Sequence, residues 1–217
     1  MQNSDYLISE NPMKALVFFS LPMIIGNLFQ QAYTMADSAI VGRLVGENAL
    51  AAVGAAYSLT NIFICIAIGG GIGASVIVSQ YFGRGSYGKL KKAVYTALIS
   101  FLLISGLLGG FGLLFSRKIM IALNTPAEVL DMSVTYLKIY FLGLPFLFMY
   151  NVLSSMFNAL GKSRIPLYFL IFSSVFNIVL DWIFVANFHL DVAGVAWATL
   201  IAQGASVVGS FTILLKE

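Results

Sequence analysis

The chain has 217 residues, of which 59% are hydrophobic and only 10% charged, with a formal net charge of +3 and a mean hydropathy of +0.92. A soluble domain averages about 45–50% apolar residues, so this composition excludes an ordinary water-soluble enzyme or binding module. The single cysteine, Cys65, excludes an intramolecular disulfide and a cysteine metal cluster.

The elements follow in chain order. Asn11 and Pro12 read as an N-cap and first helical position, which opens a helix over about 13–41 after a polar segment, 1–12. Pro22 falls inside that helix and reads as a kink or hinge, tolerated in a membrane because neighbours re-satisfy the freed carbonyl. Further helices are predicted over about 49–82, 90–115, 128–160, 164–187 and 192–215. Five charge-free runs carry the pattern: Ala15 to Ala36, Asn48 to Gly83, Ala93 to Ser116, Ile139 to Gly161 and Val192 to Leu215. Each exceeds the roughly 20 residues that a bilayer span requires. The remaining run, after Arg164, is broken only by Asp181. The fold class is therefore all-α: a polytopic membrane protein with a six-transmembrane-helix bundle over 13–217. Short glycine-marked connections, "GRLVGEN", "GRGSYG" and "GKSR", make it one bundle. "GGGIGAS" (Gly69 to Ser75) lacks the Gly-Lys-Ser/Thr ending of a phosphate loop and reads as close helix packing or a soft point in helix 2.

Basic residues set the orientation. The side holding both termini and loops 2–3 and 4–5 carries Lys14, Arg84, Lys89, Lys91, Lys92, Lys162, Arg164 and Lys216. The other side carries Arg43, Arg117 and Lys118, with Lys138 near the outer start of helix 4. Both termini are expected in the cytoplasm and the chain in the cell inner (plasma) membrane. The positive charge is a topology signal, and no nucleic-acid partner is expected. No cleavable signal peptide is visible.

Two acids lie within helices away from their ends, Asp37 and Asp181. A charge at the helix centre costs about 2.5–3.5 kcal/mol on insertion scales, so intramembrane acids are rare and usually functional. At 1.5 Å per residue, Asp181 lies about 25 Å from the cytoplasmic start of helix 5, and Thr199 about 12 Å from the outer start of helix 6. Asp37 also falls nearer the outside. Tyr33 and Asp37, Asn177 and Asp181, and Thr199 and Gln203 are each four apart, which puts each pair on one helix face. Helix 1 extends its stripe through Asn27, Gln30 and Thr34, and helix 4 adds Asn151, Ser154, Ser155 and Asn158. These faces are expected to look into a shared, partly hydrated cavity, with Asn151, Asn158, Gln203 and Gln30 lining it. Two carboxylates among oxygen donors suit a proton site or a Na+ site built from Asp37, Asn177, Asp181 and Thr199. The one histidine, His189, falls in an outer loop without a metalloprotease context, and no enzyme activity, cofactor or structural metal is expected.

The same residues carry a resemblance. "LPMIIGNLFQQAYTMADSAIVGRLVGENALAAVG", "GASVIVSQYFGRG", "NALGKSRIP", "NIVLDWIFV" and "GVAWATLIAQ" closely resemble the N-terminal half of the multidrug and toxic compound extrusion (MATE) transporters, most of all their bacterial DinF-type branch. The resemblance runs from about Asn11 to Leu215. It implies a cation-coupled antiporter that exports drugs, organic cations and other toxic compounds by alternating access, with H+ or Na+ as coupling ion. By motif match it assigns the cation site to Asp37, Asn177, Asp181 and Thr199, with Tyr33 beside the first aspartate. It also implies twelve helices, so this chain reads as one lobe that needs a C-terminal lobe or a second copy. Alternatives are a lipid-linked precursor flippase of related fold, which would want basic residues deep in its helices, and a non-transporting assembly subunit, which need not bury acids.

Overall fold

The computed structural model describes residues 12–216; the polar segment before Pro12 and the expected Asn11 cap lie outside the described residues. Helix α1 runs Pro12–Ile40 and continues into a π-helical turn, Val41–Val45. Then come α2 (Glu47–Gly83), α3 (Tyr87–Ala122), α4 (Ala127–Ala159) and α5 (Arg164–Trp182). A second π turn, Ile183–Asn187, extends α5, and α6 spans Asp191–Lys216. All six are long and apolar enough to cross a membrane. Tight turns join them: the N–H of Gly85 bonds the Phe82 carbonyl at 3.0 Å and that of Gly161 bonds Asn158 at 3.0 Å.

Helix α4 is the hub, packed against α2, α3 and α6, while α1 lies mainly on α5. Its buried side chains include Leu137, Phe141, Leu144, Phe148, Leu153 and Met156. Lipid is as apolar as leucine, so helix association in a membrane rests on close packing and interhelical hydrogen bonds. Both are present. A Cβ on Gly109 of α3 would meet the Phe141 carbonyl oxygen at 2.8 Å, and one on Gly71 of α2 would meet Ser155 Oγ at 2.7 Å. The Tyr140 hydroxyl donates to the Thr60 carbonyl of α2 at 3.0 Å, and the buried Ser133 hydroxyl lies 3.1 Å from the Ala52 carbonyl.

Two expectations change. Helix 3, expected over about 90–115, runs on to Ala122. Arg117 and Lys118 end the apolar run but not the helix: Arg117 pairs with Asp131 of α4 at 2.7 Å, and Lys118 lies over the Phe115 ring at 5.6 Å. The glycine-rich stretch of α2 lies within a helix unbroken from Glu47 to Gly83, and its Gly71 packs closely against Ser155 of α4. Lys138 stands about 16 Å along α4 from Ala127 rather than near its start. Its side chain is exposed, as long cationic stems allow.

Candidate functional site

Helices α1, α4, α5 and α6 bring polar groups to one level of the bundle. Asp37 is about 12 Å from the end of the first π turn, Asp181 about 9 Å from the end of the second, and Thr199 about 12 Å from the start of α6. Asp181 is fully buried and Asn177 2% exposed; Tyr33, Asp37 and Thr199 are half-buried. The i, i+4 spacing does the local work, setting both polar residues of α1 and both of α5 on the face turned toward α6.

The contacts form a chain. The Asp37 and Asp181 carboxylates are within hydrogen-bond reach of each other. Asn177 Nδ2 donates to Asp181 Oδ2 at 3.0 Å, while its Oδ1 accepts from the Thr199 backbone N–H at 3.0 Å and lies 3.3 Å from the Thr199 hydroxyl. That hydroxyl is also 3.1 Å from the Val195 carbonyl, and the Tyr33 hydroxyl lies near the Thr199 side chain. One oxygen of each acid, Asp37 Oδ1 and Asp181 Oδ1, is buried with no hydrogen-bond partner among the described residues. Buried acceptors are normally satisfied. Two orphaned carboxylate oxygens beside one another are what a proton or a small hard cation would complete.

Both acid-bearing helices widen into a π turn just beyond the acid, at Val41 and at Ile183. The turns touch each other through a core of Val41, Val185, Ala49, Val192 and Val195. Single π turns within α-helices are frequent at functional sites, and here they pack together beyond the cluster, at the ends of α1 and α5.

The remaining candidates separate. Gln203 lines, with Thr199, Tyr136 and Tyr140, a cavity of about 20 Å³ between α4 and α6, enough for one water. Gln30 is exposed on α1. Asn151 turns its amide back to the Leu147 carbonyl at 2.8 Å, and Asn158 Oδ1 is buried without a partner among the described residues. Asn151 and Ser155 of α4 pack beside Gly71 of α2. Pro22 is buried within an unbroken α1. Tyr136 was missed in the sequence. It lies in electrostatic range of both acids, and its i, i+4 pairing with Tyr140 is the signal that would have found it.

Known proteins resemble this chain in sequence and in fold. The MatE family model matches residues 22–183. A probable multidrug resistance protein of Bacillus subtilis (strain 168), YpnP, is 33% identical over 95% of this chain and 46% of its own length. The multidrug export protein MepA of Staphylococcus aureus (strain MRSA252) is 29% identical over 98% and 47%. A solved structure described as the outward-facing conformation of a multidrug resistance MATE family transporter superposes with a TM-score of 0.92 at 25% identity, covering 99% of this chain and 47% of that one. The chain thus spans about half the length of the relatives it matches.

Proposed function

The chain belongs to the MatE family, and on that premise we propose that it forms the ion-coupling lobe of a multidrug antiporter. It is a multi-pass membrane protein with six spanning helices. The observation that carries the reading is the Asp37–Asp181 pair, in which one oxygen of each acid is buried with no partner among the described residues. In this reading a proton, or a sodium ion held by Asp37, Asp181, Asn177 and Thr199, neutralises the pair. Neutralised and charged lobes then favour different packings, and substrate prefers one of them. Coupling requires that difference in affinity between states. Tyr33 and Tyr136 would position the first acid and the threonine.

The substrate class, organic cations and other drugs, is inferred from the multidrug relatives. Export would need a second wall, supplied by a further lobe or a second copy facing the exposed apolar side of α1 (Leu16, Leu21, Leu28 and Met35). The charge asymmetry of the loops supports an inner-membrane location with cytoplasmic termini. The test is ion-driven drug export by the assembled transporter carrying Asp37→Asn or Asp181→Asn. Each variant should be expressed normally and lose gradient-driven export; full export by both would overturn the reading.

A further inference from the structure

Where α2 ends and α3 begins, the two helices part around a groove of about 450 Å³. One side of α3 lines it with Lys89, Lys92, Thr96 and Ser100, residues three or four apart that share a helix face. Both lysines and Thr96 are exposed, and Ser100 is half-buried. Ala74 and Ile77 of α2, with Ala97 and Phe101 of α3, give the groove apolar walls. We infer that it binds an anionic phospholipid, with the phosphate at Lys89 and Lys92, the ester carbonyls at Thr96 and Ser100, and an acyl chain along Ile77 and Phe101.

The chemistry along α3 follows a phospholipid from headgroup to tail. Lys89 and Lys92 stand in the first two turns of the helix; Thr96 lies about 6 Å deeper than Lys92 and Ser100 about 12 Å deeper. The polar layer on each side of the hydrocarbon is roughly 5–8 Å thick, so lysines at the helix start meet phosphates and the hydroxyls below them meet the ester level. Basic pockets between transmembrane helices recognise anionic headgroups. The hydroxyls add an independent reason. Ser105 and Ser116, further along α3, bond back to the Leu102 and Leu113 carbonyls. Thr96 and Ser100 make no hydrogen bond among the described residues, and a hydroxyl bordering hydrocarbon is costly to leave unpaired. Ester carbonyls are acceptors that a lipid brings to that depth. The groove shares no residue with the acid cluster, so the inference is independent of the antiport reading.

Photoactivatable phosphatidylglycerol in nanodiscs containing the assembled protein tests this, with labelled peptides mapped by mass spectrometry. Label is expected on the peptides holding residues 74–81 and 89–101, displaced by unlabelled phosphatidylglycerol but not by phosphatidylcholine or inorganic phosphate. Lys89→Gln with Lys92→Gln should weaken labelling about 25-fold, at roughly five-fold per lysine. Thr96→Val should weaken it roughly two- to ten-fold. Lys91→Gln, on a different groove, should leave it unchanged. Equal displacement by phosphatidylcholine, displacement by inorganic phosphate, as large a loss in Lys91→Gln as in the paired variant, or cross-linking of these peptides to a protein segment instead of lipid would each overturn the inference. Wild-type competition alone decides this if the variants fail to fold.

Discussion

Asp181→Asn should stabilise this chain while abolishing its function. Asp181 is fully buried, and an ionised carboxylate at a helix centre costs about 2.5–3.5 kcal/mol. The amide keeps the shape and removes the charge. Its bond with Asn177, 3.0 Å long, drops from a charge-assisted to a neutral one, a loss of about 1 kcal/mol. Its new N–H can face Asp37, whose Oδ1 lacks a partner. The net gain is about 1.5–2.5 kcal/mol, or roughly 3–10 °C at 2–4 °C per kcal/mol for a chain of this size. Thermal unfolding in detergent micelles, followed by intrinsic tryptophan fluorescence, reads it directly. A midpoint that falls by several degrees would refute the reasoning, because it would make the acid a structural member and not a group kept at a cost to stability.

Other substitutions separate site from scaffold. Thr199→Val removes a hydroxyl that reaches Val195 and Asn177; at about 0.5–1.5 kcal/mol, half-saturation by the coupling ion should rise roughly three- to ten-fold in an export assay, and Thr199→Ser should restore it. Gly109→Val sets a Cβ 2.8 Å from the Phe141 carbonyl oxygen and should cut folded yield in size-exclusion chromatography. Gly110→Val, which meets open space, should not. Arg117→Ala breaks an ion pair whose partners are 61% and 83% exposed, so the melting midpoint should move by less than the equivalent of about 1 kcal/mol.

Much of the cluster was legible because helical periodicity is strict. Tyr33 with Asp37 and Asn177 with Asp181 fall on single faces whatever surrounds them, and the structure brings those faces to Thr199. What depended on neighbours was not legible. The α4 polar residues follow an equally regular stripe, yet α4 is the hub of the bundle and that stripe meets Gly71 of α2. Tyr136 looked like one aromatic among many until α6 was docked beside it. The π turns after both acids depend on the mutual packing of Val41 and Val185, which no local pattern announces. Helix 3 outran its apolar stretch because an arginine can end a hydrophobic run while finding its partner on the next helix.

The most direct measurement is equilibrium ion binding by the purified, assembled transporter, as protons released on deprotonation or as bound radioactive sodium. It should be made on the wild type, Asp37→Asn, Asp181→Asn and the double variant. The expected result is one ion bound per lobe in the wild type and none once either acid is replaced. Binding of the same stoichiometry and affinity in the double variant would contradict the assignment of the coupling ion to these two carboxylates.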